Sequence, residues 1–316
     1  MELSEMLRPT NSTEMVLRDD SIEGAAALRV HQVISAYGDE AANGSSVLVG
    51  FCSDLGVIAN SGRPGAKAAP IALRKQLYNF AYFGPRPLLD MGDVIANEDS
   101  DLALMQGELS GAVLRVMTNG GRPVVIGGGH EVAWGTWGGI RAHLGEDQLR
   151  SKRVAVVNLD AHFDIRSTPI PSSGSPFFQI ATSLRDEKID FNYICLGVSE
   201  VANTKVLFQR ADQWGVEYVL DRELQNYDDS LISDILGRFD LIYLSVDFDV
   251  LPPWSMGAVS APSTMGVPLD VVEELIETFV ASQKVIAIDF AEFNPNFDQE
   301  SLYARPASRL IMAALK

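Results

Sequence analysis

RVAVVNLDAHFD, residues 153–164, passes directly from a run of β-formers into Asp160, His162 and Asp164. Its apolar part, VAVVNL, is continuous rather than alternating, as in a strand buried on both faces. Such strands belong to parallel sheets covered by helices on each side. Two other runs have the same form: RPVVIGGGHE at 122–131 leads to His130, and DLIYLSVDFD at 240–249 leads to Asp247 and Asp249. In an open parallel sheet, ligands bind outside the carboxyl ends of the strands. Three runs delivering His and Asp to that edge define a candidate metal site.

The flanking sequence extends this pattern. Strand-like runs lie at about 47–51, 86–91, 122–127, 153–160, 192–198, 216–220, 241–247 and 284–289. Helix-like segments lie at about 69–81, 101–118, 130–144, 200–214, 268–282 and 299–315, with another at 21–37. The alternation predicts an α/β fold: a three-layer α-β-α arrangement around an eight-stranded, mainly parallel sheet. No linker, charge block or repeat interrupts it. Residues 1–20 read as a polar tail, and 21–316 as one catalytic domain.

The residue types specify a chemistry. On an extended strand, Asp160, His162 and Asp164 would share one side, as would Asp247 and Asp249. Four converging carboxylates repel one another without a cation. Two divalent ions balance four ionised Asp, and an oxygen-rich set with two imidazoles and no thiolate suits Mn2+. Zn2+ and Fe2+ also accept these donors. A metal pair ~3.5–4 Å apart would hold a bridging hydroxide and clamp a polar transition state. The competing reading is local: an Asp at a strand end also serves as a helix cap or turn former.

Composition narrows the partners. A net charge of −17 argues against nucleic acid, which needs a basic face. No apolar stretch approaches the ~18 residues of a membrane span. The N-terminal residues, with Glu2, Glu5 and Glu14, do not read as a secretory signal. Two cysteines, Cys52 and Cys195, provide no disulfide scaffold and fit a reducing cytoplasm. Both read as buried thiols, with a redox role as the alternative.

These motifs resemble the ureohydrolase (arginase/agmatinase) family. GGGHE, NLDAHFD and SVDFDVLPP are similar to its GG-D/N-H-S/E, DAHxD and SxDxDxxDP elements. The resemblance runs from about Val47 to the C-terminus, including SDLGVIANSGRPGAKAAPIALRKQL (53–77) and AIDFAEFNPNFD (287–298). It implies one ion held by His130, Asp160, Asp164 and Asp247, and a second by Asp160, His162, Asp247 and Asp249. Glu292 matches the acidic residue that binds the substrate's amidine-type nitrogens. Family members commonly form trimers or hexamers, so the resemblance implies a homo-oligomer.

Within the family, several details are similar to the formimidoylglutamase branch. Arg166 stands where arginases usually carry Asn, and no His lies near Phe177 where arginases have a proton shuttle. PSSGSPFFQI (171–180) and GAVSAPS (257–263) look like elements of that branch, with SGSP in place of SGTP. The DP after the DxD element reads PP at 252–253. The branch implies hydrolysis of N-formimidoyl-L-glutamate, a small amidine with carboxylates, to L-glutamate and formamide. Arg166 would bind a carboxylate through its rigid fork of donors. Arg63 and Arg210 are weaker candidates for the second carboxylate, and Ser172, Ser173 and Ser175 for hydrogen bonds to the substrate. Asp164 or Asp249 would relay a proton. The alternatives are another ureohydrolase activity (guanidinobutyrase, agmatinase or arginase) and a non-catalytic metal-binding scaffold.

Overall fold

Alternation along the central strands builds the layers. In β6 (Val154–Leu159), Ala155, Val157 and Leu159 join one hydrophobic cluster, while Val154 and Val156 join another. In β9 (Leu241–Asp247), Ile242, Leu244 and Val246 face the first cluster and Tyr243 the second. Because both faces are apolar, both must be covered. Helices Ala69–Leu77, Asp229–Arg238, Leu269–Ala281 and Ala304–Leu315 cover the first face. Helices Leu102–Thr118, Val132–Ser151, Pro176–Asp186 and Lys205–Trp214 cover the second. This is the three-layer arrangement predicted.

The computed structural model describes residues 6–8, 15–84, 87–96 and 100–316. Among these, the remaining strands are β1 (Leu7–Arg8), β2 (Ile34–Ala36), β3 (Ser46–Cys52), β4 (Leu88–Ile95), β5 (Arg122–Ile126), β7 (Asn192–Val198), β8 (Glu217–Leu220) and β10 (Val285–Ala291). The order is β1-β4-β3-β5-β10-β9-β6-β7-β8, with β2 also on β4. Only the β1–β4 pairing is antiparallel among these. After β5 the chain lays down β6, β7 and β8 outward, then returns to insert β9 and β10 between β5 and β6. Strands far apart in sequence thereby become neighbours.

Among the described residues the sheet has ten strands, not eight. The extra pair, β1 and β2, spans two and three residues at the β4 edge, too short for a hydrophobic period to register. Of the tail expected over 1–20, residues 1–5 and 9–14 lie outside the described residues, as does residue 86 of the predicted strand at 86–91. Within that tail, Leu7–Arg8 pairs with β4 and Met6 is buried. The helix expected over 21–37 is broken into 3-10 turns at Ser21–Glu23 and Ala25–Ala27, a helix at Val30–Val33 and β2. Gly24, at φ 95°, interrupts it, and Ile34–Ala36 gains its hydrogen bonds from β4 instead. Helices Pro176–Asp186 and Asp229–Arg238 lie outside the predicted segments, as do the short helices Leu55–Ala59 and Asp221–Leu224. The first hides behind Ser, Gly and Pro, yet a proline at the first helical position favours initiation. Among the described residues no helix is long and apolar enough to cross a membrane.

Candidate metal centre and its cavity

The four adjacent parallel strands β5, β10, β9 and β6 end at one edge, and each delivers part of the site. After β5, the chain turns sharply through 127–129 to His130. A Cβ built on Gly128 would stand 1.6 Å from the Ser53 carbonyl oxygen, so this turn admits no side chain there. β6 stops at Leu159, β9 ends on Asp247, and Glu292 follows β10.

Strand alternation is not what gathers the ligands. Residues 160–165 are irregular, with Asp164 at φ 47°, and Asp249 lies in the 3-10 turn Phe248–Val250. Backbone amides aim the carboxylates instead. His162 N–H donates to Asp160 Oδ1 (2.6 Å), Asp249 N–H to Asp247 Oδ1 (2.8 Å) and Ala161 N–H to Asp249 Oδ1 (3.3 Å). Glu292, at φ 72°, is a second non-glycine residue held in the left-handed region beside the site. Such strain persists only where surrounding structure imposes it.

Two groups of donors result among the described residues: His130, Asp160, Asp164 and Asp247, and Asp160, His162 and Asp249. His130 Nδ1 lies 3.2, 3.0 and 3.1 Å from carboxylate oxygens of Asp160, Asp164 and Asp247. His162 Nδ1 lies 3.6 Å from Asp160 and 3.0 Å from Asp249. All six expected ligands therefore converge. Asp160 spans the groups, with Oδ2 toward His130 and Oδ1 toward His162. Asp247, expected in both sets, falls in the first alone, and its Oδ1 accepts from the Asp249 amide.

The electrostatics fit a bound cation pair. Burial, then Asp249 and Asp160, push the Asp247 carboxyl well above its ordinary range. Burial, with Asp160 and Asp164 adding and His162 opposing, takes Asp249 up to about 6. Burial alone would raise Asp160, but hydrogen bonds from His130 and His162 outweigh it and hold that carboxyl low. Burial would lower both imidazoles, yet the surrounding Asp residues raise them well above the usual value. The cluster thus demands positive charge, as protons or as metal.

The neutral tautomer of His130 suits a metal ligand. Ser245 Oγ donates to Asp289 Oδ1 (2.6 Å), so toward His130 Nε2 (2.9 Å) it accepts. Nε2 then carries a hydrogen, so in the neutral ring the lone pair is on buried Nδ1, which faces three carboxylates where a cation would sit. A ligating His held through its far nitrogen is a common supporting arrangement, and losing the support typically costs 10–100-fold in metal affinity or activity. Ser245→Ala is accordingly expected to weaken metal retention by roughly 10–100-fold, read by titrating a competing chelator. Unchanged retention would remove Ser245 from this role.

A cavity of about 90 Å3 opens onto the cluster, lined by His162, Asp164, Asp247, Asp249, Glu292, Arg166, Ser173, Asn60, Ser260 and Ala261. Glu292 is buried; Oε1 accepts from His130 N–H (2.8 Å) while Oε2 has no partner. Burial, then Glu131, push its carboxyl up to about 8. Arg166 is on the wall, its stem passing over Gly174. Of the other substrate candidates Ser173 also lines it, whereas Ser172, Ser175, Arg63 and Arg210 do not. Ser175 Oγ closes a turn, accepting from Ser172 N–H (2.8 Å) and donating to Ser172 O (3.0 Å), and Ser172 is buried. Arg63 donates to the Val259 and Ser260 carbonyls and stacks on Phe297. Arg210 donates to Ile165 O (2.5 Å) and lies over Phe178 and Trp214.

The arginase-family profile matches residues 45–316. The chain belongs to the arginase family. A formimidoylglutamase of Cupriavidus pinatubonensis is 43% identical over 300 residues, covering 93% of this chain and 94% of that one. The crystal structure of a Bacillus subtilis formimidoylglutamase superposes with a TM-score of 0.81 at 20% identity, covering 97% of this chain and 95% of that one. A Trypanosoma cruzi formiminoglutamase crystallised with Mn2+ gives 0.81 at 24% identity, covering 92% and 98%. In this arginase-family chain, Asn60, Ser245, Ser260 and Asp289 are parts of the site that motif reading did not assign. Their signal is weak: each is a common polar residue whose neighbour is distant in sequence.

Proposed function

We propose that this chain is a metal-dependent hydrolase that cleaves the C–N bond of N-formimidoyl-L-glutamate, giving L-glutamate and formamide. The observation that carries the reading is 43% identity to a protein of that name across nearly the whole of both chains. The cavity agrees with it chemically, since its lining combines carboxylates with the guanidinium of Arg166.

In this reading His130, Asp160, Asp164 and Asp247 would hold one Mn2+, and Asp160, His162 and Asp249 the other. The assignment of Mn2+ draws on the oxygen-rich donor set and on the T. cruzi neighbour crystallised with that ion. When bound, such a pair lowers the pKa of water and stabilises developing negative charge. The remaining roles belong to side chains. Glu292 Oε2, buried and unpaired, receives N–H from the formimidoyl group and turns its carbon toward the cluster. Arg166 pairs with a substrate carboxylate at the far end. Asp164 or Asp249, both on the cavity wall, would accept the proton that water gives up and return it to the leaving nitrogen. That nitrogen departs as the amino group of glutamate.

The test is a substrate panel on the Mn2+-supplemented protein: formimidoylglutamate against arginine and agmatine. Preference for arginine or agmatine would defeat the assignment, and bound metal without turnover of any amidine would favour a scaffold. Arg166→Ala should raise KM for formimidoylglutamate roughly tenfold or more, the cost of one charged hydrogen-bonded pair, with metal content unchanged. Unaltered kinetics would take Arg166 out of the site.

A further inference from the structure

Behind the cavity lies a second buried acid that none of the roles above uses. Glu131 follows His130, is 1% exposed and does not line the cavity. Its Oε1 accepts from Gly56 N–H (2.9 Å) and from Ser53 Oγ (3.3 Å), both in the segment after β3. Gln106 Nε2 donates to the Glu131 carbonyl (2.8 Å), fixing its backbone from the other side. Gly56 is the node of this contact. Its carbonyl accepts from Asn60 N–H (2.9 Å) and from Ser173 N–H (3.0 Å). Asn60 and Ser173 are themselves joined, Nδ2 to Oγ at 3.3 Å, and both line the cavity.

The packing is as specific as the bonding. A Cβ built on Gly56 would stand 2.5 Å from Glu131 Cδ and Oε2, so the acid occupies the volume that any larger residue at 56 would need. A carboxylate is an expensive group to bury. A small apolar side chain would fill part of that space but accept no hydrogen bond, leaving the Gly56 amide unpaired.

The geometry points to Glu131 as a positioning residue for substrate: it holds Gly56, and Gly56 holds Asn60 and Ser173 in the cavity wall. The inference rests on the formimidoylglutamate reading above for its kinetic consequence, and on geometry alone for its structural one. Pre-set polar groups lower the ordering cost of binding. Releasing them weakens substrate affinity without touching the metal ligands.

The full chain, loaded with Mn2+, is assayed on N-formimidoyl-L-glutamate. Glu131→Ala should raise KM roughly tenfold or more, keep kcat within about threefold, and retain its metal, the signature of lost uniform binding. Glu131→Gln keeps an acceptor oxygen in place and should return KM to within about threefold of the parent chain. A lower melting temperature with unchanged KM, or a fall confined to kcat, overturns the inference. If Glu131→Ala gives no folded protein, Glu131→Asp, which withdraws the acceptor by one methylene, takes its place with the same expected rise in KM; no rise overturns the idea. Amide hydrogen exchange at Asn60 and Ser173 supplies a readout independent of turnover. It should accelerate in the Ala or Asp variant, and unchanged protection there also overturns the inference. A parent chain that ignores formimidoylglutamate defeats the functional reading, and exchange alone then decides the role of Glu131.

Discussion

Asp160→Ala is expected to strip the centre of bound metal and to lower turnover by roughly a thousandfold or more, about 4 kcal/mol at 1.36 kcal/mol per decade. Of the six candidate ligands it is the one that faces both imidazoles. Its loss therefore opens both donor groups at once, whereas loss of Asp164 opens only the first. The remaining buried carboxylates already carry raised pKa values. With fewer donors the site meets its demand for positive charge by taking up protons, and protonated carboxyls are poor ligands. Metal analysis and steady-state turnover on the same preparation check this. A variant that keeps two ions per chain and near-parental turnover would show that the cluster is not the centre. Chelation of the parent chain should reproduce the loss reversibly and lower its melting temperature, because a metal bound only to the folded state stabilises it by mass action.

Glu292→Gln should lower kcat/KM by roughly 100-fold while leaving metal content and melting temperature close to those of the parent. The substitution keeps size, shape and backbone, including the acceptor oxygen for His130 N–H. With cations bound nearby, which favour the ionised acid, it removes the charge and places an N–H2 where a carboxylate oxygen would meet the N–H groups of the substrate. A buried hydrogen bond to a charged group contributes about 1.5–3 kcal/mol, and a misplaced donor adds the cost of an unpaired group. The positive φ of Glu292 supports the same reading, since the fold keeps a strained non-glycine residue there although glycine would relieve the strain. Parental kinetics in Glu292→Gln would exclude direct contact with the reacting group. A loss of metal instead would mean that the residue acts through His130.

Eight of the ten strands among the described residues and the six candidate metal ligands could be read from local sequence, whereas Glu292 and Arg166 were legible only through the family resemblance. Strands and ligands leave a short-range mark: a buried parallel strand is a continuous apolar run, and a polar residue at its carboxyl end stands out against it. The misses are equally physical. β1 and β2 are too short to show a period, and helix Pro176–Asp186 opens in Ser, Gly and Pro residues that also make loops. Ser175, Arg63 and Arg210 are plausible substrate contacts by type, but they do not line the cavity and each hydrogen-bonds to the chain itself.

What the sequence determined alone is the inventory: parallel strands, and the acids and imidazoles that follow them. The tertiary structure decided which of these meet. Insertion of β9 and β10 between β5 and β6 sets His130, Glu292, Asp247 and Asp160 at adjacent strand ends, although they span residues 130–292. Irregular loops, not strand alternation, then aim the side chains, with backbone amides holding the carboxylates. Hydrophobic periodicity specifies which face of an element is buried. It carries no record of which distant strand will lie alongside, because that choice is made by long-range packing and hydrogen-bond partners that exist only in the folded chain.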